Sequence, residues 1–130
     1  MIAIDTNVLV RLVTDDDEAQ SARAAHLFAS DDVWLSKTVL LETEWVLRGA
    51  YHLDPEAIHE VFERLLSTVS VSIESSEAVR LALSWFHTGM DFADALHLAS
   101  VSTAEKFATF DRKLARRARR IEDAPAVESL

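Results

Sequence analysis

The chain has 130 residues, of which 49% are hydrophobic, and its formal net charge is −9. This length and apolar content suit one domain with a substantial core, and the lack of cysteine excludes disulfides, thiol catalysis and thiolate metal sites. The sequence contains neither an apolar run of about 18 residues, as a spanning helix needs, nor a secretory signal, so we expect a cytoplasmic protein with no membrane segment.

The hydrophobic pattern predicts alternating strands and helices along the chain. The predicted strands are residues 2–4, which we expect to be buried, 33–35, 69–73 and 107–110, and the tail after Ile121 indicates at most an edge strand. The predicted helices are 6–13, 17–29 with Ala22, Ala25, Leu27 and Phe28 facing inward, 38–51, one opened by Asp54-Pro55, one from Ser75-Ser76 to about Gly89, and 91–104. Such alternation is typical of a parallel sheet with helices on both faces, so we expect a single α/β domain over residues 1–130.

Acidic residues follow two of the predicted strands. Asp5 comes directly after the first strand, and Asp111 comes after the strand 107–110. In an open parallel sheet, ligands bind outside the carboxyl ends of the strands. Each aspartate taken singly is also explained as a turn or helix-capping residue, so neither identifies a site alone.

Two glutamates in the predicted helix 38–51 are assigned different surroundings. Glu44 precedes Arg48 by four residues, the favoured order for a surface ion pair worth roughly 0.2–0.5 kcal/mol, and is therefore predicted to be solvated. Glu42 has mostly apolar neighbours at helical spacing. We expect it on a half-buried face, where a carboxylate needs a cation or a hydrogen-bond donor.

Asp91 and Asp94 are three residues apart and fall on one face of a predicted helix. Capping explains Asp91 well, and a first-turn acid is favoured by the helix dipole. Asp94 is surrounded by alanine and leucine, which makes capping a weaker explanation for it. His97, one turn further on, has two interpretations, a metal ligand or a hydrogen-bonded core residue.

Considered together, the four acids Asp5, Glu42, Asp94 and Asp111 predict a metal site, because a parallel sheet brings strand ends and helix starts to one edge. Close carboxylates repel each other by roughly 4 kcal/mol per pair at an effective dielectric near 20, and a divalent cation removes that cost. Oxygen ligands suit Mg²⁺ or Mn²⁺ rather than Zn²⁺. Such a site supports phosphodiester hydrolysis.

Basic residues are concentrated in one segment that contains no acid. They are Arg112, Lys113, Arg116, Arg117, Arg119 and Arg120. This segment is explained either as a solvated face or as an RNA-binding element that holds a backbone which the acidic remainder repels. The acidic run at residues 15–18 precedes a predicted helix, whose N-terminus favours negative charge.

Four motifs in this order resemble the PIN domain, and more narrowly the VapC-type toxins of type II toxin–antitoxin systems. They are Asp5-Thr6-Asn7-Val8-Leu9, Glu42 before Trp45-Val46-Leu47-Arg48, Asp94-Ala95-Leu96-His97-Leu98-Ala99, and Thr109-Phe110-Asp111. The resemblance covers essentially the whole chain. It implies a three-layer α/β/α fold with a central parallel sheet of four to five strands, and a Mg²⁺- or Mn²⁺-dependent endoribonuclease.

The resemblance also implies roles for individual residues. Asp5, Glu42, Asp94 and Asp111 match the acidic quartet, with Asp5 and Asp94 as direct metal ligands and the other two acting through water, a second metal or water activation. Thr6 and Thr109 match supporting hydroxyl positions, and Asp91 is either a cap or an extension of the acidic patch. Relatives of this kind form homodimers and are inhibited by a small cognate antitoxin.

Two other functions fit parts of the sequence. An aspartyl-phosphate phosphotransfer domain would use Asp5, but Asp5-Thr6-Asn7 lacks a second acid two residues on, and no strand-end lysine accompanies it. A catalytically silent PIN-like scaffold would bind only a partner protein, and the intact quartet argues against it.

Overall fold

Helices and parallel strands alternate along the computed structural model, which describes residues 1–101 and 103–130. The strands are β1 (Ile2–Ala3), β2 (Val33–Leu35), β3 (Val71–Ile73), β4 (Phe107–Thr109) and β5 (Val127–Ser129). The helices are α1 (Thr6–Thr14), α2 (Glu18–Ser30), α3 (Lys37–Gly49), α4 (Pro55–Ser67), α5 (Ser76–His87), α6 (Phe92–Ala99) and α7 (Arg112–Arg119). This alternation confirms the predicted α/β class. The chain divides into two units, residues 1–76 and 77–130.

The first unit contains a three-stranded parallel sheet in the order β1-β2-β3. Val33 of β2 lies opposite Ile2 of β1 on one side and Val71 of β3 on the other. The central strand is the buried one, with Val33 and Leu35 fully inaccessible. Strand β1 is a two-residue edge strand with both residues exposed, so the prediction of a buried first strand was wrong.

Polar caps set where the helices of the first unit begin. Asp5, Asp17, Ser36 and Asp54 each accept a hydrogen bond from a backbone N–H of the following first turn, which satisfies one of the groups left free at a helix start. Pro55 at the first position of α4 needs no such partner. The predicted starts of α2 and α4 therefore agree with the structure to within one residue.

Helix α2 packs on α1 through a different face from the predicted one. Its buried residues are Ser21 and Ala24, whereas Ala22 and Ala25 are exposed and only Leu27 and Phe28 are half-buried. The Ser21 hydroxyl donates to the Arg11 carbonyl at 2.7 Å, which turns this face of α2 toward α1. The expected inward placement of Ala22 and Ala25 was therefore wrong. The hydrogen bond of Ser21, rather than the number of apolar residues on a face, determines which face of α2 packs on α1.

The second unit contains a two-stranded parallel sheet with α7 packed against both strands. Phe107 and Thr109 of β4 lie opposite Val127 and Ser129 of β5. Strand β5 is thus the edge strand that the tail after Ile121 indicated. All five strands are parallel as expected, but they form one sheet of three and one of two rather than a single sheet of four to five.

Helix α6 ends earlier than its apolar pattern predicts. The Ser100 hydroxyl donates to the Leu96 carbonyl at 2.6 Å, and the Ser100 N–H also bonds last-turn carbonyls, so the helix ends at Ala99 rather than near Ala104. Residue 102, which the predicted helix included, lies outside the described residues. At the other end of α6, Phe92 packs edge-to-face on Phe86 of α5 with the ring centroids 5.5 Å apart. None of the described helices is long and apolar enough to cross a bilayer.

Candidate functional site

Asp5 lies exposed two residues beyond the end of β1, as its position after the first apolar run predicts. Its Oδ1 accepts a hydrogen bond from the Val8 N–H at 3.3 Å, so the side chain caps α1, and Thr6 beside it is buried. Asp5 also lines a groove of about 820 Å³ between α1 and α2. Arg11, Arg23 and His26 line the same groove, so its wall carries both signs of charge.

The structure reverses the predicted surroundings of Glu42 and Glu44. Glu42 is exposed, and Trp45, one turn along, is 65% exposed. Glu44 is buried and pairs with Arg48 at 2.8 Å, so the predicted pair exists but its acid is not solvated. Both predicted environments were wrong.

The packing of α3 explains this reversal. The buried residues of the helix are Leu40, Thr43, Glu44 and Leu47, which follow the spacing of one helical face. Leu40 and Leu47 fix that face, and it includes Glu44 and excludes Glu42. The helical spacing of residues 40, 43, 44 and 47 is visible in the sequence, and it would have predicted that Glu44 is the buried acid.

Asp94 is a half-buried carboxylate in the first turn of α6. Burial raises the pKa of Asp94, the negative charges of Asp91 and Asp111 raise it further, and His97 lowers it. Asp91 is the N-cap, and its Oδ2 accepts from the Asp94 N–H at 3.1 Å. Three aspartates of the second unit therefore lie within electrostatic reach of one another, and His97 is exposed rather than a core residue.

Asp111 is held at the start of α7 by contacts on both sides. Its Oδ1 accepts from the N–H groups of Lys113 and Leu114, each at 3.0 Å. Its own N–H donates to Thr109 Oγ1 at 3.0 Å. The Thr109 hydroxyl thus fixes the turn between β4 and α7 and positions Asp111.

The chemistry of these carboxylates fits a hard divalent cation. Among the described residues, none of Asp5, Glu42, Asp91, Asp94 and Asp111 forms an ion pair with a basic side chain. Neither unit, as far as it is described, contains three or more acids or histidines grouped closely enough to hold a metal alone. Mg²⁺ typically uses one or two protein carboxylates and keeps waters or phosphate oxygens as its other ligands. The mutual repulsion at Asp94 and Asp111 is the kind that such an ion relieves.

Helix α7 presents its basic residues to solvent. Leu114, Ala115 and Ala118 are buried, and all the basic residues of the segment are exposed except the half-buried Arg117. Gly89, whose φ is +109°, lies beside Arg117, and a Cβ at position 89 would lie 3.1 Å from Arg117 Nη1. In the described part of the chain, no carboxylate forms an ion pair with any of the six cations.

A polar network in the first unit has no counterpart among the sequence predictions. Arg11 donates to Asp16 at 2.7 Å and to Gln20 at 2.7 Å, and the Tyr51 hydroxyl donates to Asp16. These hydrogen bonds hold the pKa of Asp16 below its usual range, the Tyr51 bond having the largest effect. Asp16 and Tyr51 are 35 residues apart, so no local spacing indicates the contact.

Parallel strands joined by helices, with acids after β1 and β4, define an α/β protein with carboxylates beyond its strand ends. Comparison with protein families matches residues 2–120 to the PIN domain, and the chain therefore belongs to the PIN-domain family. PIN domains are generally nucleases, bind RNA and typically use divalent metals such as Mg²⁺. No curated protein matches the chain.

Proposed function

We propose that this protein is a Mg²⁺- or Mn²⁺-dependent endoribonuclease that acts as the toxin of a type II toxin–antitoxin pair. Membership of a nuclease family supports the reaction class. The main support for the proposal is Asp94, a half-buried carboxylate that faces the charges of Asp91 and Asp111 and forms no ion pair with a lysine or arginine among the described residues. Proteins rarely keep such an arrangement unless a cation or substrate uses it.

We assign the metal to Asp5, Glu42, Asp94 and Asp111, with Asp5 and Asp94 as its direct ligands. When bound, the cation would neutralise charge on the scissile phosphate and make water a better nucleophile. Asp91 holds the first turn of α6 and thereby orients Asp94, and Thr109 orients Asp111. The cations of α7 bind the RNA backbone.

The wider role of the protein rests on the narrower resemblance to VapC-type toxins. We propose a cytoplasmic homodimer whose activity is held in check by a small cognate antitoxin. Induced expression of the chain should then arrest growth, and co-expression of a small protein encoded beside it should restore growth. Sequencing the RNA ends that accumulate after induction would identify the cleaved RNA.

Cleavage of RNA by the purified chain tests the catalytic proposal. We expect Mg²⁺-dependent cleavage whose initial rate falls roughly 100-fold or more in Asp5→Ala and in Asp94→Ala, since even the loss of a residue that only supports a metal ligand typically costs about 10- to 100-fold. Glu77→Gln removes an exposed acid of α5 and serves as the matched control with unchanged rate. Circular dichroism establishes that each variant is folded.

Two outcomes would contradict this function. A folded Asp94→Ala variant with full activity would remove Asp94 from the site. If the wild-type chain neither cleaves RNA nor binds Mg²⁺ in calorimetry, it is a silent PIN scaffold instead.

A further inference from the structure

We infer that Phe110 and the basic face of α7 form a platform for single-stranded RNA, in which a base stacks on the Phe110 ring and the α7 cations bind the adjoining phosphates. This inference rests on the proposed nuclease function and specifies the form of its substrate. Both parts of the platform belong to the second unit, and only Asp111 separates them in the chain.

Phe110 is an aromatic side chain displayed to solvent on a fixed backbone. It is 81% exposed although it directly follows β4. The Thr109 carbonyl before it accepts a hydrogen bond from the Leu130 N–H at 2.9 Å, and the Asp111 N–H after it donates to Thr109 Oγ1. Because the backbone is held on both sides, a ligand that stacks on the ring has little ordering cost to overcome.

The cations next to Phe110 form no ion pair with a carboxylate of the described chain. Arg11, Arg48 and Arg64 of the first unit each pair with a carboxylate, whereas the six basic residues from Arg112 to Arg120 have no such pair within the described chain. A helix rises 1.5 Å per residue, so this row spans about 12 Å, roughly the length of three stacked nucleotides. The row begins two residues after Phe110.

A single strand fits this combination better than a duplex does. In a duplex, the bases are stacked on each other and unavailable to a protein ring, and the A-form major groove is too narrow for side chains to read. Aromatic rings beside a basic track are the usual means of binding unpaired bases without sequence preference. A single exposed phenylalanine is common on protein surfaces and needs no explanation. Phe110, however, lies next to six basic residues that form no ion pair in the described chain, and this combination calls for a ligand.

Binding to a fluorescent oligouridylate of about twelve nucleotides tests the platform, measured by anisotropy in EDTA so that no cleavage occurs. We expect Phe110→Ala to weaken binding roughly 5- to 100-fold, the range for loss of one stacked base, while Phe110→Trp retains it. Arg116→Gln and Arg119→Gln should each reduce the dependence of log affinity on log salt by about 0.7. Val69→Ala, which shortens another fully exposed apolar side chain, and Arg64→Gln, which removes a paired surface arginine, are the matched controls and should change nothing.

Three results would overturn the platform. The first is unchanged affinity in Phe110→Ala, and the second is equal affinity for the oligouridylate and for an abasic or duplex RNA of the same length. The third is tighter binding of polyglutamate than of RNA, which would make an acidic protein the partner. Because binding in EDTA needs no metal, these results are distinct from a failure of the nuclease proposal, which would show as absent cleavage with RNA binding intact.

Discussion

Glu44 and Glu60 each pair with an arginine four residues later at 2.8 Å, but the two acids lie in different surroundings. The side chain of Glu44 is 3% exposed and that of Glu60 is 65% exposed. Helix spacing and distance are the same in both pairs. The two pairs therefore differ chiefly in how far the acid is buried.

We expect Arg48→Met to lower the free energy of unfolding by about 1.5–3 kcal/mol, because it leaves a buried carboxylate without its charged hydrogen-bond partner. Arg64→Met should cost less than about 1 kcal/mol, since water solvates both ends of the exposed pair. Urea denaturation of the two variants gives both numbers. Equal small losses would mean that Glu44 is solvated after all.

At the scale of single residues, the sequence predicts caps better than burial. Asp54 and Asp91 were identified as capping residues from local signals, because a cap depends only on the next three residues. The environments of Glu42 and Glu44 depend on what packs against α3, and apolar neighbours at helical spacing indicated the wrong acid. The Thr43 hydroxyl shows the same limit: it is buried with no hydrogen-bond partner among the described residues, which no local rule anticipates.

At the scale of elements, Asp16 and Tyr51 connect the end of α1 to the residue that follows α3 by two positions. Folding lowers the pKa of Asp16, chiefly through the Tyr51 hydroxyl, so the folded state favours the ionised form. A depressed pKa contributes stability above the ordinary aspartate pKa of about 3.9, and this contribution is lost as the pH falls through the folded-state pKa.

We therefore expect Tyr51→Phe to have a lower melting temperature than the wild-type protein at neutral pH. The two melting temperatures should converge as the pH falls below the ordinary aspartate pKa of about 3.9 and then through the lower folded-state pKa, below which Asp16 is protonated in both proteins. Melting curves across this range, followed by circular dichroism, measure the difference. Asp16→Asn should show little of the same pH dependence, and a gap between wild type and Tyr51→Phe that does not change with pH would contradict the role given to Asp16.

The order and type of most elements were predictable, because those strands and helices carry their own hydrophobic period and start signal. Helix α7 is the exception, since no helix was predicted over the basic segment that forms it. The residues at which the strands begin and end were less predictable. The predicted strand 69–73 begins at Val71, since a turn bond from the Val71 N–H to the Thr68 carbonyl leaves Val69 exposed. The predicted strand 107–110 ends at Thr109, because Asp111 folds back to the Thr109 hydroxyl. The hydrophobic period does not encode hydrogen bonds of this kind, whether they join two backbone groups or a backbone group and a side chain.

At the scale of the whole molecule, we expect the Asp94 carboxylate to lower the stability of the folded protein without metal and to raise it when metal is bound. A carboxyl whose pKa is raised on folding makes the folded state less stable as the pH rises through the interval between its unfolded and folded pKa values. In EDTA at neutral pH, Asp94→Asn should thus melt at a higher temperature than the wild-type protein, because a neutral amide is buried at less cost than a carboxylate and does not repel Asp91 and Asp111.

With Mg²⁺, the wild-type protein should melt at a higher temperature than Asp94→Asn. At a Mg²⁺ concentration ten times the dissociation constant, binding stabilises the folded state by about 1.4 kcal/mol, which for a chain of this size raises the melting temperature by roughly 5 °C. The wild-type protein should show this rise, Asp94→Asn should lose most of it, and Glu105→Gln, an exposed acid of the second unit, should retain it. Thermal melts of the three proteins, each with Mg²⁺ and with EDTA, measure the six melting temperatures. Identical curves under both conditions would count against a metal site at Asp94.

The family match runs across both units, so the four motifs, which are spread over the chain, identified the family correctly. The described residues form five strands, against the single central sheet of four to five strands that was expected, but these strands are divided between two sheets. Pairing between distant strands depends on how whole layers pack, and neither turn signals nor apolar runs encode it. The prediction of one domain over residues 1–130, and of a single site shared by the four acids, stays a prediction.

For the proposed RNA substrate, the concentration of positive charge in one helix should affect the rate of association. Outside residues 112–120, the remaining seven basic residues of the chain stand against 22 acidic ones. A diffusing polyanion is therefore repelled by most of the polypeptide and drawn toward α7, which selects the direction of approach before any base is touched. Salt shortens the reach of both fields to about 10 Å at 0.1 M, so this kinetic guidance should fade in concentrated buffer sooner than the short-range contacts do.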